Sequence, residues 1–282
     1  MKAVSIPSFG QRICVKPPYF AFTRLTVDQQ TVSGEFVPEQ PLGFSRGPIT
    51  TAEAGRHLAI LGSCAAALAQ PEPTYYLATK ARYHRFGSSA TISAATPLQA
   101  TAEVLEQSRR AVTAHATLAS GAPFAHLSVG YQVLSAATFE RLFEGYRTDE
   151  NPQPGKSPYT CAPVMTFTAN DGQSLTAVAS LTAGQCAGHF PHYPVWPVAI
   201  IGYYSEHVIE RLFHHIVGQK AEYAIQACTV SAERLVSAAD YLSFRAICTY
   251  ASRQSARFTF SCEVYRGDER VAVFEVNLRA YL

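Results

Sequence analysis

The chain has 282 residues, 48% of them hydrophobic and 16% charged, which is enough apolar material for a substantial core and too little charge for a disordered chain. Its 23 Lys and Arg against 21 Asp and Glu leave a formal charge of +2, so no broad basic field marks a nucleic-acid groove. No apolar run reaches the roughly 18 residues of a membrane helix, and the start Met1-Lys2-Ala3-Val4 lacks the apolar stretch of a signal peptide, so the expectation is a cytoplasmic chain that enters no membrane. The seven cysteines, odd in number and never spaced C-x-x-C, read as small buried hydrophobes rather than a disulfide framework or a zinc ribbon.

Along the chain, Gly43-Phe44-Ser45-Arg46-Gly47-Pro48-Ile49 precedes a helical segment over residues 50–69. That segment is apolar on every side around His57-Leu58-Ala59-Ile60-Leu61, so a helix there must be enclosed by other structure. The period then changes to two: Tyr75, Leu77, Thr79, Ala81 and Tyr83 alternate with their neighbours. Three further strand-like stretches follow as far as Leu134, broken near Ser88 and Gly121. A polar stretch over residues 144–157, rich in Pro and Gly, is the linker.

The second half repeats the plan. His189-Phe190-Pro191-His192-Tyr193-Pro194-Val195 aligns without a gap on the stretch beginning at Gly43, at an offset of 146 residues, and a helical segment over residues 194–217 follows. That helix begins apolar all round and ends amphipathic, with Glu206, Glu210 and His214 opposite Val208, Ile209 and Leu212. Alternating strands on either side of Arg266-Gly267-Asp268-Glu269 close the chain with a hairpin. Each half therefore predicts short strands, one buried helix and several long antiparallel strands, an α+β layer with a curved sheet around a helix. The units are expected at residues 1–143 and 158–282, with their sheets joined edge to edge.

The segment that carries chemistry is Gly188-His189-Phe190-Pro191-His192-Tyr193-Pro194-Val195-Trp196-Pro197. Its three prolines make a rigid loop that cannot continue a strand, just before a helix whose exposed first amides can hold a carbonyl oxygen gaining negative charge. Imidazole titrates near neutral pH, so His189 suits removal of a proton beside a thioester carbonyl.

Residues 188–197 resemble the active-site loop of the 3-hydroxyacyl-ACP dehydratases, which have the hot-dog fold and a G-H-F-P-x-x-P-x-x-P-G loop before the central helix. The resemblance implies a double hot dog, as in polyketide synthase dehydratase domains. It also implies a substrate carried as a thioester on phosphopantetheine, of an acyl carrier protein or of CoA, with no cofactor and no metal. Val198 stands where the family has a glycine whose amide polarises the thioester, and Tyr203 stands where it has the catalytic Asp or Glu. Sites of this kind pair the histidine of one unit with the acid of the other, and the alignment maps Tyr203 onto His57, with Glu53 one turn earlier.

The expectation is thus one competent site, in which His189 is the base and His57 or Glu53 the acid, and an inactive cleft between Gly43 and Tyr203. Phe190, Pro197, Val198 and Tyr203 are expected to contact substrate, while Glu206 is read on the solvated helix face and His192 as exposed. His207, Glu210 and His214, spaced i, i+3 and i+7, are read as a solvated face rather than metal ligands. Arg82, His84, Arg85, Arg109 and Arg110 are either strand-edge charges or contacts for a pantetheine phosphate or an acidic carrier. The leading activity is dehydration of a 3-hydroxyacyl thioester in fatty acid or polyketide-type synthesis. The alternatives are a thioesterase or decarboxylase of the same fold, in which Glu53 outweighs His189, or a non-catalytic acyl-binding subunit; a homodimer is compatible with each.

Overall fold

One helix that is apolar on every side and a second that begins so determine the layers, because both must be covered by other structure. The computed structural model describes residues 2–86, 96–149 and 157–282. In it, helix α2 (Thr51–Ala66) buries thirteen of its sixteen residues. Thr50 caps it, its side chain accepting the Glu53 amide at 3.1 Å, and a short 3-10 turn, Ala67–Ala69, ends it. Helix α4 (Val198–Val217) starts four residues later than expected, because Pro197 sits in extended backbone at its N-cap, and stops at the left-handed Gly218. The shorter α1 (Ile6–Arg12) and α3 (Ala136–Leu142) have no counterpart in the sequence reading.

The strands of the first half are β1 (Lys2–Ala3), β2 (Arg24–Asp28), β3 (Thr31–Phe36), β4 (Thr74–Arg85), β5 (Leu98–Gln107), β6 (Ala111–Ser120) and β7 (Ala122–Ser135). Those of the second are β8 (Thr166–Asn170), β9 (Ser174–Ala179), β10 (Glu222–Ala232), β11 (Leu242–Ser252), β12 (Arg257–Arg266) and β13 (Glu269–Tyr281). All thirteen form one sheet in the order β1-β2-β3-β5-β6-β7-β4-β10-β13-β12-β11-β9-β8. Read outward from the β4–β10 seam, each half has the same order: β4-β7-β6-β5-β3-β2 on one side and β10-β13-β12-β11-β9-β8 on the other. At the seam the two strands run antiparallel, Ala227 opposite His84 through Ser231 opposite Lys80. This is the double hot dog with joined sheets that the sequence predicts.

The period-two pattern supplies the inner wall. Val112, Ala114, Ala116 and Leu118 of β6 are buried on the α2 side, and Phe258, Phe260, Cys262 and Val264 of β12 occupy the equivalent positions beneath α4. The two helices also pack on each other. The β6–β7 break falls at Gly121 and the β12–β13 turn at Gly267, as expected. The break near Ser88 and linker residues 150–156 lie outside the described residues. Among the described residues, no helix is long and apolar enough to cross a membrane.

The N-terminal segment reaches across to the other half. Val15 bridges His189, and the Lys16 amide donates to the Gly188 carbonyl at 2.8 Å. Gly188 has φ +87°, and a Cβ there would stand 2.2 Å from the Lys16 carbonyl oxygen. Gly188→Ala combines a left-handed alanine with a backbone overlap, so chemical denaturation should record a loss of about 2 kcal/mol or more. An unchanged midpoint would mean that this crossing does not support the fold.

Candidate functional site

A cavity of about 180 Å³ lies between the halves, walled by α2 and α4, by β4, β7, β10 and β13, by the N-terminal segment and by the loop 188–197. Its wall is mostly apolar. The starts of both helices open onto it, through Thr51 and Ala52 of α2 and through Val198 and Ala199 of α4. In each first turn the later amides are already bonded, Glu53 and Ala54 to Thr50 and Ile200 and Ile201 to the Pro197 carbonyl. The two amides ahead of them are the ones a helix start leaves for a ligand.

Among the described residues, one carboxylate lines this cavity apart from the rim residue Glu233, and it is Glu206 of α4. Burial pushes its pKa up to about 8, the Ala52 backbone amide at the start of α2 pulls it down, and neighbouring Glu210 raises it. Glu206 is therefore not on a solvated face. The polar stripe of α4 meets the start of α2 and the segment before it. Glu210 accepts a hydrogen bond from the Tyr223 hydroxyl at 2.9 Å, and a Cβ on Gly43 would lie 3.4 Å from a Glu210 carboxylate oxygen. The cleft expected to be inactive thus holds two carboxylates where the sequence reading put none. Tyr203 is half-buried beside it, its phenol pKa raised first by burial and then by the charges of Glu206, Glu53 and Glu210.

His189 does line the cavity, but in an aromatic setting. Its ring stacks on Phe190 at 4.0 Å and meets Tyr19 edge-on at 4.9 Å, and burial pushes its pKa down to about 3. Phe190 lines the cavity too and is fixed against Tyr75 and Phe139, while Pro197 serves as the α4 cap and Val198 faces the cavity. His192 is exposed, with φ +70°.

Glu53 and His57 are fully buried and are not among the cavity residues, so the structure does not bring them to His189. Glu53 accepts the backbone amides of Glu39 and Gln40 at 2.7 and 3.0 Å. Arg56 bonds Glu39 at 2.5 Å and stands 3.6 Å from Glu53. Its Nη2 also lies 3.1 Å from His57 Nε2, which must accept because a guanidinium only donates. Burial, then the Arg56 charge, holds the His57 pKa well below the usual range, and Phe36 stacks on the ring at 3.7 Å. With Nε2 accepting, the neutral ring keeps its one proton on Nδ1 and is not the imidazolium acid that would protonate a leaving hydroxyl at neutral pH.

His207, Glu210 and His214 have separate neighbours: His207 sits against Phe167, Glu210 binds Tyr223, and His214 lies 3.0 Å from the Ala221 carbonyl. Among the described residues no group of three or more His, Cys, Asp or Glu is set to hold a metal. Arg82, His84, Arg85, Arg109 and Arg110 do not line the cavity, and Arg85 donates to the Arg46 carbonyl at 2.7 Å.

No family model matches the chain, and no curated protein matches it by sequence. Its fold is shared with solved structures. The TesB protein of Mycobacterium avium subspecies paratuberculosis is 12% identical, with a TM-score of 0.63 over 92% of this chain and 96% of that one. The acyl-CoA thioesterase II TesB2 of Mycobacterium marinum is 12% identical, with a TM-score of 0.55 over 97% and 98%. A hot-dog-fold protein of unknown function from Alicyclobacillus acidocaldarius is 11% identical, with a TM-score of 0.60 over 95% and 99%. These likenesses redirect the expected activity. Similar structures include an acyl-CoA thioesterase, and the loop histidine on which dehydration rested lies against aromatic rings, with burial the cause of its lowered pKa. The dehydratase expectation, with its polyketide setting, is therefore withdrawn.

The buried cluster yields a test of its own. Glu53→Ala removes the acceptor of two amides and one of the carboxylates balancing Arg56, so stability should fall by about 3–5 kcal/mol in chemical denaturation. A loss below about 1 kcal/mol would mean that Glu53 does not anchor residues 39 and 40.

Proposed function

We propose that the chain hydrolyses an acyl thioester, with Glu206 as general base at the start of α2. The observation that carries this reading is a half-buried carboxylate in an apolar cavity, held against the first-turn amide of Ala52. An acyl chain suits the apolar wall, and a carbonyl oxygen suits the Thr51 amide, the one in the first turn of α2 not taken by Thr50 or Glu206. Glu206 takes a proton from water, and the resulting hydroxide adds to the thioester carbon. The oxygen that gains charge is stabilised by the Thr51 amide and the positive end of the helix. When the C–S bond breaks, the thiolate recovers the proton from Glu206, giving a free acid and a thiol. The scheme uses water as its only co-reactant and needs no cofactor.

The similar structures include a protein named as an acyl-CoA thioesterase, which supports the class of reaction. The carrier is CoA or the phosphopantetheine of a carrier protein. We assign Glu53, Arg56 and His57 to holding the segment before α2, and through it the start of that helix, rather than to proton transfer. His189 and Phe190 close the far end of the cavity. Seven unpaired cysteines fit a reducing cytoplasm.

A general base must be ionised, and burial raises the pKa of Glu206. The value of kcat/KM should therefore rise with pH through about 8 and then level off. Glu206→Gln should reduce kcat by about 10² to 10⁴ while the protein stays folded. The same substitution should stabilise the protein more at pH 8 than at pH 5. Folded Glu206 binds a proton that the unfolded chain has lost in this window, so stability falls as pH rises, and glutamine removes that slope. Turnover that survives Glu206→Gln would refute the assignment.

A further inference from the structure

Buried polar atoms are hydrogen-bonded in the great majority of cases. Four residues lining the cavity depart from this: Ser205, whose hydroxyl lies beside Cys262, and three others. The Tyr76 hydroxyl, His189 Nδ1, and Arg56 Nε and Nη1 are all buried with no partner among the described residues.

They gather at one end. His189 and Arg56 share a neighbour, Tyr19, whose ring lies 4.9 Å from the imidazole and 5.7 Å from the guanidinium carbon. Val15 bridges His189 and lines the same part of the wall. Strand β4 links this end to the other: Tyr76 stands near one end of the cavity wall, and Tyr83, whose hydroxyl feels the Glu206 charge, lies seven residues on. At about 3.3 Å per residue that is roughly 20 Å of strand. A register shift at Ala78 and Lys80 lets both tyrosines point inward despite their odd spacing. A thioester placed at Glu206 would thus send its acyl chain along an apolar wall towards a polar end.

The charge at that end decides what it can receive. Arg56 is already balanced by Glu39 at 2.5 Å and Glu53 at 3.6 Å, so a further carboxylate would leave surplus negative charge in a dry site. His189 adds no positive charge, because burial keeps its imidazole neutral at neutral pH. A neutral oxygen fits: it accepts from Arg56 or Tyr76, and a hydroxyl can also donate to an imidazole nitrogen.

Resting on the thioester reading above, we propose that the Tyr76–His189–Arg56 end of the cavity binds a neutral oxygen on the acyl chain, making hydroxy- or oxo-acyl thioesters the preferred substrates. Such a site discriminates because the chain without oxygen leaves its donors unpaired.

The test compares CoA thioesters of matched chain length that are plain, hydroxylated or oxo-substituted at successive carbons, or end in a carboxylate. Turnover gives kcat/KM, and calorimetry with the non-hydrolysable thioethers gives Kd independently. For at least one position, the oxygenated chain should be favoured about ten-fold or more in both. Tyr76→Phe, which removes only the hydroxyl, and His189→Leu should each bring the ratio towards one. Equal or better use of plain chains at every position, or a preference for the carboxylate, would overturn the proposal. Thioethers that bind with the expected preference while no thioester is hydrolysed would instead sink the thioesterase reading and leave this one standing.

Discussion

A helix without a polar face cannot lie at a surface; α2 is such a helix, and α4 begins as one. Enclosing both requires more sheet than one half provides. The halves join at the β4–β10 seam, the sheet curls around the helices, and α2 and α4 pack on each other. The cavity follows from the same constraint. Where the helix starts meet the seam strands, first-turn amides and apolar side chains enclose a space that neither half could wall alone.

Within that space the two clefts are not equivalent. One has a proline-framed loop and a histidine whose imidazole is kept neutral by burial among aromatic neighbours. The other has an unremarkable loop, and Glu206 of the opposite helix reaches the Ala52 amide in the first turn of α2. In our reading, the chemistry belongs to the second cleft and chain recognition to the first. The buried Glu53–Arg56–His57 group connects them, since it fastens residues 39 and 40 beneath α2 while Arg56 faces the cavity.

Much of the fold was legible because it rests on periodicity and composition. The apolar run around Leu58, the alternation from Tyr75 and the Gly267–Asp268 turn each have a local cause that survives folding. The site was less legible. A motif match drew attention to His189, but its chemistry depends on what the loop faces, and that is decided by Tyr19 and Val15, 170 and 174 residues away in sequence. Glu206 was hidden by a sound local rule: a Glu opposite an apolar stripe normally meets water, whereas here it meets the start of another helix. One signal could have found it. The expected acid position holds Tyr203, and Glu206 lies three residues further on the same helix face. Likewise, α1 and α3 are short helices whose stability comes from docking, as where Phe139 stacks on Tyr75 at 3.7 Å, and no sequence period announces them.

The central claim is that the reacting carbonyl sits at Glu206 and the start of α2, with the acyl chain running towards His189. A crystal structure with a non-hydrolysable acyl thioether of CoA tests this directly. The account predicts the sulfur and the adjoining carbon beside the Glu206 carboxylate and the Thr51 and Ala52 amides, and the chain's far end near Tyr76. A thioether sulfur found beside His189 and the start of α4, with Glu206 left untouched, would contradict it.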